Sequence, residues 1–134
     1  MQHGLIVATS DQGNSSWGVA PCYGTDISGA DSTAIGTGHQ NTHDMITVAS
    51  CTNIAQLVHG VTISGYSDWY LPSKEELNKL YLNRVAIGGF TSTYYWSSSE
   101  GNANDGWIQS LSSGNQISYG KTYTSWKARA VRSF

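Results

Sequence analysis

From Thr93 to the C-terminus the sequence breaks into four short β-type runs: Tyr94 to Ser98, Trp107 to Leu111, Gln116 to Tyr119 and Ala128 to Phe134. The segments between them, Asn104-Asp105-Gly106, Ser113-Gly114-Asn115 and Gly120-Lys121, carry hairpin turn chemistry. A chain that ends this way cannot be a helical bundle. Upstream the period changes. Ser73 with Glu76 three residues on is a capping box, and Leu77, Leu80 and Tyr81 mark one face of a helix that ends near Arg84. Asn41 reads as an N-cap with Asp44 in the first turn, and Met45, Val48, Ala49, Ile54, Ala55, Leu57 and Val58 continue at helical spacing to Gly60. The spacing predicts one helix of roughly 17 residues there. Gly4 to Thr9 reads as a first strand and Val61 to Ile63 as a brief one. Residues 10 to 40, rich in Gly, Ser, Asp and Asn but holding Trp17 and Tyr23, read as a packed irregular loop. Helices followed by an antiparallel meander make an α+β fold.

With 134 residues, one domain spanning residues 1–134 is expected, large enough to hold a core without metal or dense disulfides. Charged residues make up only 12 % of the chain, while 15 glycines and abundant serine, threonine and aromatic residues take their place. That balance opposes disorder, which needs high net charge and few aromatics. No apolar run approaches the roughly 18 residues of a membrane span, and Met1-Gln2-His3-Gly4 lacks the features of a signal peptide.

The net charge is -2, yet its distribution is lopsided. Before Lys74 there is no Lys or Arg, against five acids: Asp11, Asp26, Asp31, Asp44 and Asp68. Beyond Asp105 every charged residue is a base, namely Lys121, Lys127, Arg129 and Arg132. Such asymmetry creates a positive face on a negative molecule if the bases gather. The plainer reading is that they protect solvated strand edges. Arg129 and Arg132 share no strand face unless a bulge intervenes.

Cys22 and Cys51 are expected to form a disulfide closing a loop of roughly 30 residues, worth roughly 3–4 kcal/mol in the chain-entropy model. An even count suits an extracellular protein; two buried thiols are the alternative, since neither cysteine has redox or zinc spacing. Catalytic signals are poor. In Gly65-Tyr66-Ser67-Asp68-Trp69 a Trp stands where a nucleophile elbow has its second Gly. Ser118 and Lys121 have S-x-x-K spacing but fall in strand and turn. His39 precedes the expected cap, so it is not expected to share a helix face with His43 and Asp44 as a metal site. Asp11, Asp26 and Asp31 leave a divalent cation open without forming a hand-type loop, so no metal or cofactor is assigned. The rings and hydroxyls of Tyr94 to Glu100 suit either sugar stacking or a core, and Trp96 is read as core.

Gly65-Tyr66-Ser67-Asp68-Trp69-Tyr70-Leu71-Pro72-Ser73, then Tyr95-Trp96-Ser97-Ser98-Ser99-Glu100, Trp107 and Arg129-Ala130-Val131-Arg132, resemble the bacterial C-terminal domain family named after the Legionella collagen-like adhesin. His3 to Ala8, Asp11-Gln12 and Trp17-Gly18 extend the resemblance over essentially the whole chain. It implies a C-type-lectin-like variant, two helices packed on a small, mainly antiparallel sheet, with Trp69 and Trp96 beneath the second helix. It also implies a non-catalytic, secreted and cell-surface-associated adhesin, carried as a homotrimer on a collagen-like stalk and binding sulfated glycosaminoglycans of host cells. Neither nucleic acid nor a membrane span is expected. The cysteine motif of the fold's formylglycine-generating enzymes and the Glu-Pro-Asn sugar motif are both missing.

Sulfate is a permanent anion, so the expected ligand contacts are Lys121, Lys127, Arg129 and Arg132, helped by Lys74, Lys79 and Arg84. The five early acids must then face elsewhere. The competing expectation is a receptor-binding tip that recognises a protein or neutral glycan through aromatic and hydroxyl side chains.

Overall fold

The strongest local signal, Ser73 with Glu76, nucleates more than its own helix. In the computed structural model, which describes residues 4–48 and 52–134, Ser73 Oγ accepts from Glu76 N, and Glu76 Oε1 accepts from Ser73 N at 2.9 Å, opening helix α3 (Lys74–Leu82). The same buried carboxylate also accepts from Gly36 N at 3.1 Å and Gly38 N at 3.0 Å. It therefore sits at the entrance of helix α1 (Gly38–Val48) too. A Cβ on Gly38 would lie 2.1 Å from Glu76 Oε1, so only glycine permits this approach.

This shared carboxylate explains a difference from the sequence reading. The helix starts at Gly38, not after an Asn41 cap, and Asn41 is buried inside it, donating from Nδ2 to Ser32 O at 2.7 Å. The single helix expected to run to Gly60 is two, α1 and α2 (Asn53–His59), with residues 49–51 outside the described residues. Beyond α3, Arg84–Ile87 add the short α4.

The strands follow the expected order with one rearrangement. Strands β3 (Tyr94–Glu100), β4 (Asp105–Ser110) and β5 (Gln116–Gly120) form the meander. The final run does not continue it. It splits into β6 (Lys127–Ala128) and β7 (Val131–Ser133), because Arg129 and Ala130 turn inward and are fully buried. Strand β6 lies parallel to β3, with Tyr95 opposite Lys127, and antiparallel to β2 (Gly13–Asn14). Strand β7 pairs antiparallel with β1 (Leu5–Val7), Leu5 opposite Ser133. The result is a five-stranded sheet in the order β2-β6-β3-β4-β5 and a two-stranded sheet of β1 and β7. This is an α+β fold without a barrel, compatible with a C-type-lectin-like variant. The strand expected at Val61 to Ile63 is only a bridge between Ile63 and Tyr66.

Two apolar cores flank the main sheet. Trp17, Ile27, Met45, Ile54, Val58, Trp69 and Trp96 fill the first, which includes residues of α1 and α2 and of the long loop. Tyr70, Leu77, Leu80, Tyr95 and Val131 fill the second, which α3 covers. Trp69 and Trp96 are thus core residues, but of the first core and not beneath the second helix. Gly106 is no turn residue: it lies in β4, where a Cβ would approach Trp17 Cδ1 to 2.8 Å.

The long loop is held by charge as well as by Trp17. Buried Glu100 accepts from Ile27 N with both carboxylate oxygens at 3.0 Å and forms an ion pair with buried Lys121. The Lys121 ammonium also donates to Cys22 O and Thr25 O, each at 3.1 Å. Burial dominates at Glu100 and, reinforced by Asp26, pushes its carboxyl up to about 7 against the opposing pull of Lys121. A folded-state value above the ordinary 4.5 means that the folded protein holds this proton more tightly than the unfolded chain. This group's contribution to stability is therefore greatest below 4.5 and declines as pH rises to about 7.

Glu100→Gln and Lys121→Met should each cost about 3–5 kcal/mol in urea denaturation, because each strands a buried partner. The double variant should recover more than half of the loss and should lack the decline in stability between about pH 4.5 and 7.

Candidate functional site

The seven bases do not gather on one surface. Lys121 and Arg129 are fully buried, which removes both from any surface a polysaccharide could touch. Arg129 donates from Nε to Asp11 Oδ1 at 3.0 Å and from Nη1 to Ala8 O at 3.0 Å and Gly88 O at 3.1 Å, with its guanidinium 4.1 Å above the Phe90 ring. Lys127 is partly exposed, its ammonium 3.9 Å from Asp11 Oδ2. Arg132 makes a two-pronged bond to Asp68, Nε to Oδ1 at 2.7 Å and Nη2 to Oδ2 at 3.0 Å, and stacks 3.8 Å over Tyr66. The hydrogen bond from Arg132 holds the Asp68 carboxyl below the usual carboxylate range.

The expected segregation of early acids from late bases is therefore corrected: Asp11 and Asp68 meet those bases directly. Attraction between opposite charges joins Asp11 and Asp68 to the C-terminal segment, so the asymmetry of the sequence is partly offset in space. Outside these pairs stand Lys74, whose ammonium lies 3.9 Å over the Trp107 ring, Arg84, stacked 4.1 Å from Tyr81, and exposed Lys79. Among the described residues none of these three forms an ion pair.

What the fold does expose is aromatic. Strand β5 carries Tyr119, the following loop Tyr123 and Trp126, and the start of β3 Tyr94. Tyr123 and Trp126 have ring centroids 4.6 Å apart, Tyr94 and Trp126 5.0 Å, Tyr119 and Tyr123 5.2 Å, and Tyr119 and Trp126 5.4 Å. Tyr94 and Trp126 anchor the group against the first core, while Tyr119 and Tyr123 are 39 % and 40 % exposed. Trp126 Nε1 is buried with no hydrogen-bond partner among the described residues. Sequence reasoning passed over Tyr119, Tyr123 and Trp126. The available signal was three rings within eight residues, spread over a strand end and a loop that secondary-structure pattern alone does not bring together.

Other sequence expectations are redistributed. Because α1 begins at Gly38, His39 and His43 both lie within it, one turn apart, and line one cleft with His59. That corrects the reading that they share no face. Among the described residues, however, no group of three or more His, Cys, Asp or Glu side chains is placed to hold a metal ion. Asp26 and Asp31 border a hollow beside Glu100, whereas Asp11 is paired with Arg129 elsewhere. Ser118 is exposed while the Lys121 ammonium points inward to Glu100, so they form no nucleophile and base pair. Cys22 is buried, and Cys51 lies outside the described residues.

Arg129→Ala should destabilise the fold by about 3 kcal/mol or more, whereas Lys79→Ala should stay within about 0.5 kcal/mol of the parent, as read by chemical denaturation. Alkylation without reductant, followed by mass measurement, should find no reactive thiol, as a disulfide between Cys22 and Cys51 requires.

Among the described residues no helix is long and apolar enough to cross a membrane. No curated protein matches the chain. The family model described as Lcl C-terminal domain matches residues 9–132, nearly its whole length, and this match points to an adhesin-like module. Together with the α+β arrangement and the place of the Gly65-to-Ser73 segment at the entrance of α3, it establishes that the chain belongs to the Lcl C-terminal domain family.

Proposed function

We propose that this domain is a non-catalytic adhesin module that holds a glycan on its aromatic face. The observation that carries the reading is the cluster of Tyr94, Tyr119, Tyr123 and Trp126, anchored from below and open above. Sugar rings present flat C–H faces that stack on aromatic rings, and ring clusters left open to solvent on a water-soluble surface mark interaction sites. Exposed Thr122, Thr124 and Ser125 in the same loop supply hydroxyls for the sugar's own. The aromatic side chains themselves carry no charge, so a neutral glycan suits them.

A second reading, sulfated glycosaminoglycan binding, is favoured by Lys74, Lys79 and Arg84, which stand on α3 and α4 without a carboxylate partner among the described residues. Lys127 is the remaining exposed cation from the expected C-terminal set. Exposed single contacts are worth only about 0–1 kcal/mol each, so this reading leans on repetition of the site. A homotrimer on a collagen-like stalk, secreted and held at the bacterial surface, would supply it through effective concentration.

Binding to immobilised neutral and sulfated polysaccharides at about 50 and 200 mM salt separates the readings. On the first, Tyr119→Ala and Tyr123→Ala each weaken binding several-fold, corresponding to about 0.5–1.5 kcal/mol per ring contact, and salt changes little. Binding confined to the sulfated chains, collapsing with salt and surviving both substitutions, establishes the second reading instead.

A further inference from the structure

We propose a second ligand site, independent of the aromatic face, in the cleft between α1, the end of α2 and the Ser67-to-Tyr70 segment. Its ligand class is a small carboxylate that carries an apolar ring or chain. The cleft has a volume of about 310 Å³, at the lower end of small-molecule sites. Ile46, Trp69 and Tyr70 supply its apolar lining. The polar tips of the two aromatics are already engaged: Trp69 Nε1 donates to Tyr66 O at 2.9 Å, and Tyr70 Oη bonds Ser133 Oγ at 2.7 Å. They therefore present carbon surface to the cleft, which suits an apolar ligand body.

The rim is imidazole. His39 and His43 stand one turn apart on α1, and His59 closes α2, so two separate elements bring three of the chain's four histidines to one hollow. His39 meets the Tyr70 ring edge-on at 5.4 Å. Among the described residues no side-chain hydrogen bond occupies any of the three imidazoles, so their ring nitrogens are open to a ligand.

The carboxylates around the cleft already have hydrogen-bond partners, and Asp68 has an ionic one. Asp68 on its wall is bound by Arg132 through two hydrogen bonds. Asp44, next to His43, receives a hydrogen bond from Gln40 Nε2 at 3.0 Å and lies against Gly29. Glu76, behind Tyr70, is committed to the backbone N–H groups of Gly36, Gly38 and Ser73. The groups left open at the rim are the three imidazoles, and an imidazolium donates from both nitrogens to a carboxylate. An anionic head at the rim with an apolar body on the lining matches both halves of the cleft, and binding strengthens in mild acid.

The test is a titration of the full chain, followed by amide and imidazole NMR signals, with benzoate and with its uncharged analogue benzyl alcohol, at about pH 5.5 and 7.5. Benzoate should shift signals of His39, His43, His59 and Trp69 at the lower pH and bind about tenfold more weakly at the higher one. Benzyl alcohol should bind more weakly than benzoate at the lower pH. His39→Gln/His43→Gln/His59→Gln should remove the pH dependence, and each single replacement should reduce it; all three side chains are exposed, so an unchanged melting temperature accompanies the effect. Absence of shifts at these residues, equal binding of benzyl alcohol, or a pH dependence that survives the histidine replacements overturns the proposal. Tyr119→Ala should leave benzoate binding unaltered, so failure of this site and failure of the aromatic-face reading are told apart.

Discussion

The Lys121 ammonium sits inside the protein, enclosed by the Glu100 carboxylate and the carbonyls of Cys22 and Thr25. An isolated charge in such a place costs several kcal/mol, so the groups around it must be delivered to it together. Delivering them fixes much of the fold. Glu100 ends β3, Lys121 follows β5, and the two carbonyls belong to the stretch between β2 and α1, which is made of turns and bends. The ammonium also lies 4.8 Å from the Trp17 ring, joining the loop's main apolar anchor to its polar one. Arg129 does similar work at the other end of the sheet, tying Asp11, Ala8 and Gly88 to the bend between β6 and β7.

Local signals in the sequence were legible because their physics is local. The Ser73 and Glu76 capping box and the three-stranded meander depend on neighbours close in sequence, and both formed. Three of the misreadings share one cause, a partner distant in sequence. Asn41 has the chemistry of a cap, but the Glu76 carboxylate, 38 residues beyond Gly38, opens the helix earlier. Gly106 has the chemistry of a turn, but Trp17 needs the room that a missing side chain provides. A lysine or arginine in a polar, strand-rich segment reads as surface, yet Lys121 and Arg129 are buried by carboxylates 21 and 118 residues away. Charge segregation along a chain is thus an ambiguous signal: opposite charges clustered in different halves produce a charged face when they stay apart and internal cross-links when the fold joins them.

The same ambiguity governs the candidate sites. A basic stripe was expected from bases close in sequence, but two of those four serve the interior, and Arg132 is already held by Asp68. The rings that do assemble come from a strand, a loop and the start of a more distant strand, and only the sheet order brings them into contact. Likewise, starting α1 four residues earlier moves His39 from a flanking loop onto the helix with His43. A small shift in one element boundary thereby changed the chemistry attributed to a cleft.

A surface with few free charges affects how such a module can adhere. Long-range steering by a basic field is weak here, since Asp11 and Asp68 offset neighbouring cations and the total charge is only -2. On the proposed reading, selectivity comes from contact: rings fixed against a core, hydroxyls at set positions and stacked cations such as Lys74 on Trp107. Contacts of this kind gain less from low salt and lose less to high salt than ion pairs do. Because the supporting rings are already packed, little ordering entropy is spent when a ligand arrives. A modest site preorganised in this way gains most from being presented several times, which is the physical advantage that a multichain stalk would confer on an adhesin-like domain.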